Sequence, residues 1–402
     1  MPIQSRVILI ALSMLPFILP IALAFDLYLP SVPMLSQVMA VSSQQMQLTL
    51  SVFLLAFGLG QLIIGPLSDN FGRKRILLIS LLLFTLGSLM CALAVDFSFL
   101  LNGRVLQAIG ASGSQVIAFA MIRDQYDGKE AKIILTLLRT SGSLSPIISP
   151  LLGAFMLTQF NWQANFVFLT AYSIFLLLFA YFFLQETVKK SAAKTKAINY
   201  FFKNYKEVIT HPQFIYFCVC GIAAQAVVFM HSSFSPSYYI NQHGLSESQF
   251  AVLFGSNACI LFIGGLLTAK FIPIVGLLRW TLFAAFLLIL SGAIMIFAQL
   301  YFTHHFALFL PNLLATISAG MLAGTSIAGA LIPFKHMGGT ASALLGCFEF
   351  VISAAIGSQI IGHGHNTNLF SLAGCFIFLG IAIYVIRYLV QTYSSKDLVT
   401  IS

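Results

Sequence analysis

Three charged side chains stand inside long apolar stretches of this sequence: Asp26, Arg104 and Glu349. In hydrocarbon surroundings a charge costs about 3 kcal/mol or more, so each needs a chemical reason. Asp26 follows Pro16 and Pro20 and precedes Pro30. Prolines bend or break a helix, as happens where a helix lines a cavity. A carboxyl in a low-dielectric cavity resists ionisation, while a nearby guanidinium favours it. A carboxyl balanced between these effects, with Arg104 as the balancing cation, can take up and release a proton as its access to water changes. Read statically, the same two residues form an ion pair that holds two helices together. Glu349 has three readings: a second protonation site, a contact for a cationic cargo, or a neutral acid hydrogen-bonded among helices.

Other polar groups interrupt the apolar runs. Gln107, Gln225, Asn257 and Asn312 can bind cargo or join helices through hydrogen bonds. His231 adds a titratable ring. Five of the eight histidines, His243, His304, His305, His363 and His365, fall between apolar runs of the second half. Solvated loop histidines account for them, with a metal or pH-sensing cluster as the other reading. The cysteines, Cys91, Cys218, Cys220, Cys259, Cys347 and Cys375, form no CxxC pair and read as small packing residues. No G-x-x-x-x-G-K-[ST] loop occurs, so ATP is not the direct energy source. H-E-x-x-H and G-x-S-x-G are missing too. The expectation is therefore a protein without enzymatic chemistry, metal or cofactor.

The elements that must position these groups follow from composition. Hydrophobic residues make up 59% and charged residues 8% of 402, against about 25% charged in soluble domains. So little charge cannot cover a globule in water, and lipid must be the solvent for most of the surface. A bilayer core takes about 20 apolar residues per helix. Twelve stretches meet this: 7–29, 46–66, 76–95, 98–121, 133–157, 163–184, 213–236, 248–269, 277–298, 305–332, 340–361 and 368–390. The net charge of +9 is a topology signal rather than a nucleic-acid one. Alternate loops hold Arg73, Lys74 and Arg75; Arg123, Lys129 and Lys132; six lysines between 189 and 206; Lys270 and Arg279; and Lys335. Arg6, Arg387 and Lys396 flank the termini, Arg139 lies near the start of the fifth span, and the other loops hold no Lys or Arg. By the positive-inside rule both termini and the central loop are cytoplasmic. The expected organisation is an all-α membrane protein with two six-helix halves, 1–184 and 212–391, a cytoplasmic loop at 185–211 and a tail at 392–402. The approaches Gly65 to Arg73 and Gly264 to Arg279 hint at a repeat but do not establish one alone.

Several segments resemble the major facilitator superfamily, and within it the Bcr/CflA-type drug/proton antiporters. The loop after span two, Gly65-Pro-Leu-Ser-Asp69-Asn-Phe-Gly72-Arg73-Lys74, is similar to the superfamily's G-x-L-x-D-x-x-G-R-K loop. Its glycines permit close approach and a tight turn, and its acid can cap a neighbouring helix. The resemblance implies a latch for the outward-facing state. Asp26-Leu-Tyr28-Leu-Pro30 is similar to the D-x-Y-L-P signature. Arg104-Val-Leu-Gln107-Ala-Ile-Gly110 resembles the R-x-x-Q-G-x-G motif implicated in proton transfer, and leads into Arg123-Asp124. The span-five run Pro146, Ser149, Pro150, Gly153 resembles the exporters' antiporter motif. Glu186-Thr187, Ser235-Pro236, Gly244-Leu245-Ser246 and Gly339-Thr340-Ala341-Ser342 match further landmarks. Three departures stand out: Trp162-Gln163 without an arginine, His231 at an aromatic position and Glu349 at a glutamine position.

The resemblance implies a proton-coupled exporter of small, drug-like or amphipathic molecules, working by alternating access as a monomer in the bacterial inner membrane. Asp26, Arg104 and Glu349 would serve proton coupling. Tyr28, Gln107, His231, Asn257 and Asn312 would line the cargo cavity. Gly65, Asp69, Gly72, Arg73, Lys74, Arg123, Asp124, Pro146, Pro150 and Gly153 would gate. Its partners would be cargo, protons and lipid, with no nucleic acid. The alternative is an exporter dedicated to one metabolite, such as a siderophore, a purine or an amino acid derivative.

Overall fold

A chain crosses hydrocarbon without stranding its backbone either as helices or as a closed barrel, and helices are what the described residues form. The computed structural model describes residues 3–126, 145–187, 205–301, 306–334, 337–362 and 369–393, with positions 130, 133–135, 137–138 and 142. Of the residues named above, Lys129, Lys132, Arg139, the lysines at 189, 190, 194, 196 and 203, Lys335, Lys396, His304, His305, His363 and His365 lie outside the described residues. The chain divides into two units, Met1–Ala197 and Ile198–Ser402.

The first unit holds α1 (Ile3–Ile18), α2 (Pro20–Asp26), a 3₁₀ turn (Leu29–Ser31), α3 (Val32–Val38), α4 (Ser43–Phe71), α5 (Arg73–Ala92), α6 (Phe97–Gln125), α7 (Ser145–Gln159) and α8 (Gln163–Phe183). The second holds α9 (Pro212–Pro236), a π-helical turn (Ser237–Gln242), α10 (Glu247–Val275), α11 (Leu277–Tyr301), α12 (Phe306–Ala330), a 3₁₀ turn (Ile332–Phe334), α13 (Gly338–Gly362) and α14 (Leu369–Tyr393). Among the described residues, eleven helical segments are long and apolar enough to cross a membrane. The remaining place in the expected twelve is that of α7, whose expected start at 133 falls where the description is partial.

Span one departs from its expected bounds. It runs as a chain of short helices from Ile3 to Val38, not from 7 to 29. Pro20, Pro30 and Pro33 each stand in the first turn of a new helical piece, where the missing N–H removes no bond within that piece and the fixed φ suits a helix. They restart the helix rather than end it.

The hinted repeat is real in the backbone. α4 and α10 are each 29 residues long. Each starts from a capping box, Ser42 with Gln45 and Ser246 with Gln249, and each ends at a left-handed glycine, Gly72 at φ +100° and Gly276 at φ +90°. The caps satisfy N–H groups that a helix end leaves unpaired.

Between apolar helices in lipid, close backbone approach replaces the hydrophobic drive. In the first unit, a Cβ on Gly87 or Gly110 would run into backbone atoms across the α5–α6 contact. In the second, Gly264 of α10 and Gly320 of α12 meet in the same way. Phe17, Leu77, Ile117, Met121 and Leu176 form an apolar layer joining α1, α5, α6 and α8. Leu59, Ile63, Phe175, Phe182 and Phe297 stay exposed, an outer face suited to hydrocarbon.

Candidate functional site

The broken span one is held by side chains from α6 and α8. Pro20 has no N–H for the carbonyl of Pro16, and the Tyr172 hydroxyl donates to that carbonyl at 2.8 Å. Ser114 Oγ donates to the Phe17 carbonyl at 2.6 Å. Below the end of α2, the Ala24 carbonyl accepts from Arg104 Nη1 at 2.8 Å. Asn165 Nδ2 donates to Ser31 Oγ at 2.9 Å. The span therefore keeps its break without leaving these carbonyls bare, as hydrocarbon demands. On its other side, α7 comes so close that a Cβ on Gly153 would strike the Leu27 carbonyl. The glycine of the span-five motif thus touches the backbone next to Asp26. Ser145 and Ser149 share a hydrogen bond of 2.9 Å in the same helix, and Pro150 stands inside it. Pro146 follows Ser145 in its first turn.

Arg104 is fully buried. Its Nη1 also donates to Gln107 Oε1 at 2.7 Å, and Gln107 Nε2 donates to Ser88 Oγ at 2.8 Å. The guanidinium lies 4.3 Å from the Phe53 ring centroid and 4.7 Å from that of Tyr28. Its charge is thus met by two π faces and the negative end of α2. Nε and Nη2 have no hydrogen-bond partner among the described residues. The Tyr28 hydroxyl is taken up by Met46 Sδ at 3.1 Å and Thr49 Oγ1 at 3.0 Å.

Asp26 is 6% exposed, at the last residue of α2. Among the described residues it has no ion-pair or hydrogen-bond partner. The static Asp26–Arg104 ion pair is not formed, because Arg104 reaches the backbone two residues earlier instead.

The turn between α4 and α5 gathers a charged cluster. Glu186 accepts from the backbone N–H of Arg73 at 2.8 Å and of Lys74 at 3.2 Å. The cap of α5 is thus Glu186, not the expected Asp69. Asp69 instead pairs with Arg73 one turn away. Arg73 also donates from Nε to Asp124 at 2.9 Å and from Nη1 to Ser68 at 2.7 Å, and Thr187 Oγ1 donates to Asp124 at 3.1 Å. Lys74 Nζ donates to the Tyr181 carbonyl at 2.8 Å. Gly72 makes the turn, and a Cβ there would overlap the Glu186 carboxylate. Gly65, expected to allow close approach, meets nothing within 4 Å of an added Cβ among the described residues. Arg123 lies in the last turn of α6.

In the second unit the polar residues do not form one group. Asn312 Nδ2 donates to Asn257 Oδ1 at 2.8 Å, and Thr316 Oγ1 donates to the same oxygen at 3.3 Å. These join α10 to α12 and are buried. Gln225 is half-buried. The half-buried Glu349 accepts from Ser326 Oγ at 3.1 Å, in a notch that a Cβ on Gly221 would fill. His231 is 6% exposed and stacks on Phe254, with ring centroids 5.3 Å apart and planes at 14°. Its two nitrogens have no hydrogen-bond partner among the described residues. His243 ends the π-helical turn against Tyr238. Among the described residues no cluster of side chains could hold a metal.

Sequence reasoning singled out Asp26 and Arg104 but not Tyr172, Ser114, Asn165 or the capping role of Glu186. Asn165 and Ser114 were visible as polar residues in apolar runs. Their targets were not, because one is a backbone carbonyl, that of Phe17, and the other a serine hydroxyl, that of Ser31, far away in sequence.

Known proteins agree with this architecture. The pattern of the Major Facilitator Superfamily matches residues 14–358. A chloramphenicol resistance protein of Pseudomonas aeruginosa is 30% identical over 359 residues, covering 86% of this chain and 82% of that one. A bicyclomycin resistance protein homolog of Haemophilus influenzae is 24% identical over 376 residues, covering 93% of each. The xylose transporter XylE from E. coli superposes with a TM-score of 0.71 at 13% identity, covering 96% of this chain and 97% of that one, a likeness of fold alone. With the family pattern running through most of its length and its apolar helices long enough to span a bilayer, this chain belongs to the Major Facilitator Superfamily, as a multi-pass membrane transporter of small molecules with that family's twelve-helix fold.

Proposed function

We propose that this transporter exports small organic molecules from the bacterial cytoplasm across the inner membrane in exchange for protons. It works as a monomer by alternating access, with both termini cytoplasmic, halves at 1–184 and 212–391, and a cytoplasmic link at 185–211. The resistance proteins among its relatives support a drug-like cargo.

The observation that carries the reading is the buried Asp26 at a broken helix, without a partner among the described residues. A carboxyl so placed is neutral when protonated, and on ionising needs a cation. Arg104 keeps two donors, Nε and Nη2, unused within the described residues. Ionisation of Asp26 pulls on α2, whose end Arg104 already holds, and α7 leans on the same joint through Gly153. Proton loss is thereby converted into movement of span one. Gating falls to the α4–α5 cluster of Gly65, Asp69, Gly72, Arg73, Lys74, Arg123 and Asp124, and to Pro146 and Pro150 as pivots in α7. Glu349 serves as a second proton or cargo group, and Tyr28, Gln107, Asn257 and Asn312 shape the cargo cavity.

The test is uptake of chloramphenicol into everted vesicles under an imposed pH gradient. Asp26→Asn should give folded protein at normal level that no longer responds to the gradient. Undiminished gradient-driven uptake in that variant would sink the coupling assignment. The departures at His231 and Glu349 favour a second reading, an exporter dedicated to one metabolite. A deletion strain with unchanged drug tolerance and one compound missing from its medium would select that reading.

A further inference from the structure

Four buried polar atoms lie along one side of α9 and the π-helical turn that continues it. They are both imidazole nitrogens of His231, the Ser235 hydroxyl and the Tyr239 hydroxyl. None has a hydrogen-bond partner among the described residues. The spacing i, i+4, i+8 puts the three side chains on one helical face. Two rings of α10 back this stripe. His231 lies flat on Phe254, Tyr239 packs beside Phe250 at 6.4 Å, and Phe250 and Phe254 are 5.7 Å apart. The clamped imidazole therefore presents its nitrogens edge-on.

Burying a polar atom unpaired opposes folding, and this stripe does so repeatedly within a few residues. Buried polar residues of α10 and α12 are better paired: Asn257, Asn312 and Thr316 bond one another, leaving Asn312 Oδ1 without a partner among the described residues. The stripe also runs into a π-helical turn at Ser237–Gln242, a geometry that recurs at functional sites.

We propose that His231, Ser235 and Tyr239 form a recognition site for uncharged cargo bearing hydroxyl or amide groups, with His231 as the specificity-determining residue. The inference rests on the export reading and narrows it by naming the cargo chemistry. A neutral imidazole offers one donor and one acceptor, and each hydroxyl offers both. Apart from His231, α9 and the π-helical turn carry no acidic or basic residue. The stripe thus matches hydroxyls and amides and has nothing to balance a formal charge. All three side chains are buried, so cargo reaches them only in a conformation that opens this face of α9. Binding therefore favours that conformation.

The experiment is equilibrium binding of radiolabelled chloramphenicol, an uncharged amide with hydroxyl groups, to purified full-length protein in detergent. His231→Phe keeps a ring on Phe254 and removes both nitrogens; His231→Gln keeps a donor and an acceptor. The phenylalanine variant should bind at least about tenfold more weakly than the parent, and the glutamine variant within about threefold of it. The phenylalanine variant should also melt no lower than the parent, since it buries two fewer unpaired atoms. Four results would each overturn the proposal: no binding by the parent, parent-like binding by His231→Phe, equal loss in both variants, or a lower melting temperature for His231→Phe. The expected binding pattern without gradient-driven transport would remove the export reading and leave this site standing.

Discussion

Replacing Gly72 by alanine separates two effects that the structure places on one residue. Its φ of +100° with ψ of 140° lies where an L side chain is strained, at a cost of about 1–3 kcal/mol. A Cβ would also displace the Glu186 carboxylate from the first N–H groups of α5, and losing a helix cap costs about 1 kcal/mol. Gly72→Ala should therefore destabilise by about 2–4 kcal/mol. The repeat supplies the control. Gly276 has nearly the same backbone, φ +90° and ψ 147°, but a Cβ there meets nothing among the described residues. Gly276→Ala should show the strain alone, about 1–3 kcal/mol. The assay is unfolding of purified protein in mixed micelles by titration with dodecyl sulfate. Gly72→Ala and Glu186→Ala should also combine to less than their sum by about 1 kcal/mol, since both remove the same cap. Equal costs at Gly72 and Gly276, with full additivity toward Glu186→Ala, would refute the capping argument. No cost at either glycine would refute the strain argument.

Further outcomes follow from the held break in span one. Tyr172→Phe removes the donor to the Pro16 carbonyl and should cost about 1–3 kcal/mol in the same titration, whereas Tyr301→Phe, on an exposed residue, should lie within about 0.5 kcal/mol of the parent. Gly153→Ala pushes a methyl into the Leu27 backbone, overpacking that costs about 1–3 kcal/mol. Because the contact adjoins Asp26, gradient-driven uptake should fall by more than binding of chloramphenicol does. Parallel loss of both would place Gly153 outside the coupling path.

The sequence by itself determined the class of the molecule. Apolar runs of bilayer length, one-sided basic loops and acids such as Asp26 inside those runs are legible because hydrocarbon penalises every exception to them. Motif spacing also singled out Gly72, Arg73, Asp124 and Gly153. What the sequence left open was who partners whom. Arg104 goes to the Ala24 carbonyl rather than to Asp26, and Glu186, more than a hundred residues away in sequence, caps α5 in place of Asp69. Asn257 and Asn312 bond each other, while His231 bonds nothing among the described residues. The reason is physical. The groups in question are backbone carbonyls that accept and backbone N–H groups that donate, left free where helices break or end, and nearly every residue type carries them. Only the fold decides which of them is bare and which side chain lies within 3 Å.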